Sequence, residues 1–180
     1  MEYHTLRELG DNDTAPPPTG DKKIRTHLVY DCKHDGRHKA RMVANGHLTD
    51  IPLESAYSSV VSLRGLRIVT FLSELNGLDL WATDIGNAYL ETFTMEQNFI
   101  VAGPEFGLLE GHYLIIVKAL YGLRTSGLRW HERFADCLRS EGFSPCKAEP
   151  DIWMRLNGGL YEYVATYVDD LCLGMLDPKS

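Results

Sequence analysis

The alternation of apolar and polar positions predicts a mixture of helices and strands along this chain. From Ser62 onward, leucine and valine recur at intervals of three, which indicates an amphipathic helix that Ser62 can cap and Asn76-Gly77 can end. A second helix is predicted over "SGLRWHERFADCLRSEGF", with Ser126 as its cap and Gly142 at its end. Short runs of apolar residues mixed with polar ones, bounded by turn residues, predict strands over "IRTHLVYDC", "KARMVANG", "LDLWATD", "HYLIIVKAL", "PDIWMRL" and "LYEYVATYV".

Turn residues join these strands into hairpins. Asp35-Gly36 separates the first two strands, and the "NGG" at residues 157–159 separates the last two. Strands and helices are interspersed without repeats and without a regular βαβ alternation, so we predict an α+β fold with an antiparallel sheet. Residues 1–20, which end in the Pro-rich "APPPTG", are predicted to form a flexible lead-in outside the packed domain.

Composition narrows the class of protein. The 180 residues are enough for one ordinary domain, and their net charge is −7. Between Lys22 and Arg41, however, seven basic side chains stand against two aspartates, so the charge is unevenly distributed. There is no apolar signal region or bilayer-length run, and the four cysteines are widely spread. We therefore expect an intracellular protein with no membrane partner.

Adjacent acids within an apolar stretch are the first sign of chemistry. In "YVATYVDDLCLG", Asp169 and Asp170 repel each other and resist desolvation. They can form a solvated hairpin tip, or a cation can offset their charge. Asp84 also ends an apolar strand, and antiparallel pairing of the two strands would bring the acids together. Because Mg²⁺ needs only two or three carboxylates besides water and substrate phosphate, these acids fit a two-metal phosphoryl-transfer site.

Several motifs carry a resemblance to one protein family. "YVDD" preceded by "DIGNAYL", with Asp84 85 residues before Asp169, resembles the palm of reverse transcriptases. Four further segments resemble reverse transcriptases of copia-type long-terminal-repeat retrotransposons: "HKARMVANGHLT", "YSSVVSLRGLRIV", "VKALYGLRTSGLRWHERF" and "GFSPCKAEPDIWMR". The resemblance implies polymerase-type fingers and palm over residues 21–180, with an antiparallel sheet flanked by helices, truncated before the thumb.

The same resemblance implies a metal site and a sugar filter. Asp84 and Asp169 would be the direct ligands of two Mg²⁺ ions, which Mn²⁺ can replace, and Asp170 would be a supporting carboxylate. Tyr89 matches the family's aromatic steric gate. Its ring would occupy the space that a ribose 2′-hydroxyl needs, so the site would favour deoxynucleotides.

The incoming nucleotide would be bound by the basic hairpin and by the "LYGL" segment. Lys33 and Arg41 lie where the family's fingers reach the triphosphate, with Lys39 as the alternative if the alignment slips by a residue. Tyr121 and Gly122 would lie beside the nascent base pair, where a glycine permits close approach of the backbone.

The resemblance also assigns a role to two arginines, and the chain departs from the family pattern at three positions. Arg124 and Arg129 would contact template phosphates. Ser59 stands where the family usually has Pro, Thr125 where it usually has Gln, and Gly127 where it usually has Pro. These changes leave the acids intact, but they affect the segments that are expected to bind the nucleotide.

The resemblance implies a fragment of a retrotransposon polyprotein that acts as an RNA-directed DNA polymerase. Its partners would be an RNA or DNA template with a primer, dNTPs and the remainder of the polyprotein, and it would act in a cytoplasmic particle or the nucleus. Ten residues follow Asp170, whereas the family continues into a primer grip, a thumb and an RNase H domain. Two alternatives remain open: an inactive relic that binds nucleic acid or polyprotein with the same fold, and another palm-type nucleotidyl enzyme such as a nucleotide cyclase.

Overall fold

The computed structural model describes residues 5–11, 19–49, 56 and 58–177. The chain divides into two compact units that alternate along the sequence. Unit 1 comprises Met1–Tyr57 and Tyr89–Trp130, and unit 2 comprises Ser58–Ala88 and His131–Ser180. In the described part, no helix is both long and apolar enough to cross a membrane.

The strands and the two α-helices of the described residues follow in chain order. They are β1 (Leu6–Asp11), β2 (Lys22–Lys23), β3 (Thr26–Cys32), β4 (His38–Ala44), α1 (Leu63–Leu75), β5 (Asp79–Asp84), β6 (Asn98–Val101), β7 (His112–Ile116), α2 (Ser126–Ser140), β8 (Ser144–Pro145), β9 (Ile152–Asn157), β10 (Leu160–Tyr167) and β11 (Asp170–Met175). Short 3₁₀ helices cover Gly46–Leu48, Ala88–Glu91 and Pro104–Leu109. The mixture of helices with mainly antiparallel sheets agrees with the predicted α+β class.

Unit 1 is built on a four-stranded sheet in the order β1-β7-β6-β2. β1 and β6 pair antiparallel with β7, whereas β2 pairs parallel with β6. Side chains from β6 and β7 pack with those of the segment before β3 and the "LYGL" region. The buried core contains Ile24, Ala44, Ile100, Ala102, Leu114, Ile116, Leu120 and Leu123.

Part of the expected flexible lead-in is a strand. In β1, Leu6 lies opposite Ile116 and Asp11 lies opposite His112, so backbone hydrogen bonds with β7 hold this segment in the sheet. The prediction of a lead-in outside the packed domain is therefore wrong for residues 6–11. Residues 12–18, which include most of "APPPTG", lie outside the described residues.

The basic hairpin forms as predicted. β3 and β4 pair antiparallel, and Gly36 adopts a φ of +80° at the tip. Every residue of β3 after Thr26 is exposed, so the hairpin has little apolar support along its length. At its base, the Ala44 N–H donates to the Tyr121 carbonyl oxygen over 2.7 Å, which fastens β4 to the "LYGL" segment.

Unit 2 is an antiparallel sheet with a helix packed on each face. The strand order is β5-β11-β10-β9-β8. Because neighbouring strand residues point to opposite faces, Val164 and Ala165 of β10 enter different cores. Ala165 packs in the core that includes Val69 of α1, and Val164 packs in the core that includes Leu138 of α2. The predicted sheet flanked by helices is confirmed for this unit.

The helix ends follow the sequence signals with one exception. Ser62 Oγ accepts the Gly65 N–H over 3.0 Å, and Gly77 ends α1 with a φ of +65°. Gly142 likewise ends α2 with a φ of +84°. The prediction that Ser126 caps α2 is wrong, because Ser126 is already helical and its buried hydroxyl donates to the carbonyl oxygen of Leu120.

A buried carboxylate joins several elements of unit 2. Glu162 of β10 is fully buried and accepts hydrogen bonds from both Nε and Nη2 of Arg155, at 3.1 and 2.8 Å. It also accepts from the Asn157 amide and from the Leu176 N–H. Arg155 in turn donates to the Glu141 carbonyl oxygen at the end of α2. One ion pair thus ties β9, β10, the end of β11 and the end of α2 together.

We predict that Glu162→Gln destabilises unit 2 by about 2 kcal/mol at neutral pH, because it leaves the Arg155 charge uncompensated. Burial alone would raise the pKa of Glu162, but hydrogen bonds from Arg155, Leu176 and Asn157 outweigh it and lower the pKa from its ordinary 4.5. The wild-type carboxylate therefore stabilises the fold fully above pH 4.5, and this advantage disappears as the pH falls through the folded-state pKa.

Urea unfolding of wild type and Glu162→Gln at several pH values measures this difference. Glu141→Gln, at an exposed position of the same unit, is the control and should change the stability little. A difference between wild type and Glu162→Gln that stays constant down to pH 3 would contradict the prediction.

Candidate active site

Two strands of unit 2 bring the predicted acids together. Asp84 ends β5 and Asp170 begins β11, and the antiparallel register places them directly opposite each other. The Ile85 N–H donates to the Asp169 carbonyl oxygen over 2.8 Å, so the Asp84–Asp170 pair occupies a non-hydrogen-bonded position of the ladder. At such positions the facing Cα atoms approach to about 4.5 Å, and the side chains point to the same face. Asp84 and Asp170 are therefore close neighbours on one surface.

The third acid lies in a tight turn. Tyr167 pairs with Asp170, which leaves Val168 and Asp169 as a two-residue turn between β10 and β11. Val168 has a φ of +59°, a conformation that β-branched residues rarely adopt. Such strain is typical of positions that the surrounding structure holds for function. Asp169 thus sits at the hairpin tip, while Asp170 is part of the strand.

A groove runs beside the paired carboxylates. It has a volume of about 820 Å³ and is walled by β5, β10 and β11 on one side and by the beginning of α1 on the other. Asp84 and Asp170 both line it, among mostly apolar or small side chains such as Leu66, Ala82 and Cys172. Burial raises the pKa of the Cys172 thiol, which keeps it protonated at neutral pH.

Among the described residues, the three carboxylates have no positive partner. In the described part of the chain, none of their side chains makes an ion pair or a hydrogen bond. Like charges directly opposite in a ladder destabilise the pairing, so a cation would offset a cost that the described residues leave uncompensated.

The donor set suits a hard divalent cation. The described residues contain no cluster of three or more His, Cys, Asp or Glu already arranged around one point. Two facing carboxylates completed by water and phosphate oxygens are nevertheless the kind of site that Mg²⁺ uses. The chemistry of these acids therefore fits the expected metal.

The predicted nucleotide-side residues gather in unit 1. The rings of Tyr89 and Tyr121 lie 4.9 Å apart, and the Arg41 guanidinium lies 5.7 Å from the centre of the Tyr121 ring. Arg41 Nε is buried, and it has no hydrogen-bond partner among the described residues. An unpaired buried donor costs free energy, so this atom is a candidate contact for an acceptor that the described residues do not supply.

A close backbone contact holds this cluster in place. Gly122 has a φ of +88°, and a Cβ there would lie 2.1 Å from the Ala44 carbonyl oxygen. A Cβ on Gly46 would lie 2.0 Å from the Gly122 carbonyl oxygen. The two segments can therefore approach this closely only if positions 46 and 122 are both glycine. Gly46 was missed from the sequence, since no local signal distinguishes it from an ordinary loop glycine.

Comparison with known proteins decides the family. The profile of the family described as "Reverse transcriptase (RNA-dependent DNA polymerase)" matches residues 13–179. The chain belongs to the reverse transcriptase family. It is 25% identical over 187 aligned positions to a retrovirus-related Pol polyprotein from transposon TNT 1-94 of Nicotiana tabacum, covering 96% of this chain and 14% of that polyprotein. It is 26% identical over 172 positions to the one from transposon RE1 of Arabidopsis thaliana, covering 91% and 12%.

These matches confirm the copia-type reverse transcriptase that the motifs indicated. The chain spans only 12–14% of the length of these two polyproteins. The comparison therefore identifies the domain, and the activity of a whole polyprotein is a separate question.

The other three residues predicted to bind nucleotide or template differ in their surroundings. Lys33 closes the hairpin turn through its backbone, with its N–H donating to the Arg37 carbonyl oxygen. Arg124 uses its guanidinium to donate to the carbonyl oxygens of Gly46 and His47, so it fixes the segment after β4. Arg129 lies half-buried in the first turns of α2.

One departure from the family pattern has a local explanation. Thr125 is buried, and both its N–H and its hydroxyl donate to Glu96 Oε1, at 3.0 and 2.7 Å. A short side chain at this position therefore anchors the start of α2 to the loop before β6. Within the described part of the chain, neither Ser59 nor Gly127 makes a comparable side-chain hydrogen bond.

We predict that Gly122→Ala destabilises the protein by at least about 2 kcal/mol, because alanine is strained at this φ and its Cβ would overlap the Ala44 carbonyl oxygen. Thermal unfolding measures the loss. Gly86→Ala is the matched control, since Gly86 has an ordinary φ and open space where a Cβ would stand. Equal stability of the two variants would show that the contact between the two segments is not required.

Proposed function

We propose that this reverse transcriptase domain performs RNA-directed DNA synthesis by two-metal nucleotidyl transfer, with unit 2 as the palm and the β3–β4 hairpin of unit 1 as part of the fingers. The observation that carries the proposal is the facing pair of Asp84 and Asp170 beside the turn residue Asp169. Three carboxylates without a cationic partner in the described chain are the arrangement that metal-assisted phosphoryl transfer needs.

The acids would hold the ions and orient the reacting groups. Asp84 and Asp169 would be the direct ligands, as the resemblance implies, and Asp170 would support them from its place opposite Asp84. When bound, the two Mg²⁺ ions supply charge neutralisation to the attacking primer 3′-hydroxyl and to the departing pyrophosphate. The protein's share is positioning, for which the two strand ends offer a rigid base.

The nucleotide-side cluster would bind the dNTP. Arg41 Nε is buried and has no partner among the described residues, which supports a contact with a phosphate oxygen, since a guanidinium suits bidentate phosphate binding. Lys33, on the exposed hairpin, would add a point charge. Tyr89, packed against Tyr121, would exclude the 2′-hydroxyl, and Arg129 would approach the template. Because Arg124 already binds two carbonyl oxygens, its proposed role is to shape the Gly46 segment that Gly122 contacts.

We predict that Asp84→Asn and Asp169→Asn each reduce DNA synthesis more than about a thousandfold, because an amide keeps the shape but loses the charge that binds the ions. The measurement is primer extension on poly(rA)/oligo(dT) with Mg²⁺ or Mn²⁺, in this chain and in one extended through a family-like thumb. Asp79→Asn, at the exposed start of the same strand, should extend primers as wild type does. Extension by Asp84→Asn at the wild-type rate would refute the site, and no extension by folded wild type of either length would indicate an inactive relic.

We predict that Tyr89→Val raises ribonucleotide incorporation at least about tenfold, because the smaller side chain leaves space for the 2′-hydroxyl. The measurement is the ratio of rNTP to dNTP incorporation by the extended chain. Tyr161→Val, in the exposed part of β10, should leave this ratio unchanged. Unchanged sugar selectivity in Tyr89→Val, with normal dNTP extension, would remove the gate role from Tyr89.

A further inference from the structure

Helix α1 carries an apolar stripe on the face turned away from the sheet. Its buried residues are Gly65, Val69 and Ser73. On the opposite side, Ile68, Phe71 and Leu75 are 46%, 64% and 67% exposed. Their spacing of three and four residues places them on a single seam of the helix, like the a and d positions of a coiled coil.

Charges of opposite sign border this seam. Arg67 directly precedes Ile68 and Glu74 directly precedes Leu75, so the two charges flank the same edge of the stripe, two turns apart. Both side chains are exposed, and neither has an ion-pair partner in the described part of the chain. The basic residue lies in the first half of the helix and the acidic one in the second.

We propose that this seam pairs with the α1 seam of a second copy of the chain, in an antiparallel arrangement centred on Phe71. A two-fold axis at Phe71 brings Arg67 of each protomer opposite Glu74 of the partner subunit, because the two positions lie almost symmetrically about residue 71. Two interchain ion pairs then border an apolar contact, which is the charge pattern that selects partner and orientation in paired helices.

The charges also select the direction of pairing. In a parallel pair each seam residue faces its own copy, so Arg64, one turn before Ile68 on the same seam, would face Arg64 of the partner subunit. In the antiparallel pair the arginines lie at opposite ends. The contact involves one helix of 13 residues, about 20 Å long, so the dimer is weak and its population depends on concentration.

Charge reversal tests the arrangement, with sedimentation velocity over a concentration series of the 180-residue chain as the measurement. Arg67→Glu and Glu74→Arg should each raise the dimer dissociation constant roughly tenfold, because two attractive pairs become repulsive. The double variant Arg67→Glu/Glu74→Arg should restore wild-type association, since it rebuilds both pairs with the signs exchanged. Arg133→Glu, at an exposed position of α2, is the control for net charge and should dimerise as wild type does.

The outcomes separate this surface from polymerase activity, on which the inference does not depend. Arg67→Glu should fold normally, because it replaces a like-charge pair with Arg64 by an attractive one, and circular dichroism verifies this. Wild-type chain that stays monomeric throughout the series overturns the proposal and leaves the stripe to another partner. A dimer dissociation constant that the single reversals leave unchanged also overturns the proposal. So does a double variant that fails to restore wild-type association.

Discussion

The pairing of β5 with β11 in a register that sets Asp84 against Asp170 is the constraint around which unit 2 is organised. A shift by one residue would send each carboxylate to the opposite face of the sheet, so the register must be fixed strongly. The two cores that sandwich the sheet fix it, since α1 packs on one face and α2 on the other. The Glu162–Arg155 pair secures the far end of β11, through the Leu176 N–H. Packing elsewhere thus holds together acids that repel each other.

Unit 1 shows a similar dependence of a site on backbone geometry. Tyr121 lies beside Tyr89 and Arg41 because the "LYGL" segment adheres to the end of β4 through the Ala44–Tyr121 hydrogen bond. That adherence requires glycine at positions 46 and 122. Arg124 also holds the segment after β4, by donating to the carbonyl oxygens of Gly46 and His47. Side chains that the resemblance connects with nucleotide binding are therefore positioned by contacts of the main chain.

Local signals predicted the elements that local physics determines. The two hairpins, both α-helices, the Ser62 cap and the strand that ends on Asp84 follow from periodicity and turn residues, and the structure contains them.

Features that depend on distant partners were missed. Strand β1 forms because it pairs with β7, which is distant in sequence. Ser126 does not cap α2 because its hydroxyl donates to the Leu120 carbonyl oxygen instead. Three further features are equally invisible before the fold is known: the burial of Glu162, the need for Gly46, and an Arg41 Nε that has no partner among the described residues. For the candidate site, the sequence indicated which acids approach each other, but it did not reveal that Asp170 faces Asp84 while Asp169 lies in the turn.

The most direct test of the account is the thermal stability of wild type and Asp84→Asn with and without Mg²⁺. The account holds that a bound cation offsets the repulsion between the facing carboxylates. Without a divalent ion, Asp84→Asn should therefore melt at a higher temperature than wild type, because the substitution removes this repulsion. Added Mg²⁺ then raises the melting temperature of wild type by binding the folded state, and raises that of the variant much less. An Asp84→Asn variant that is less stable than wild type without metal, together with a wild type that does not respond to Mg²⁺, would contradict the account.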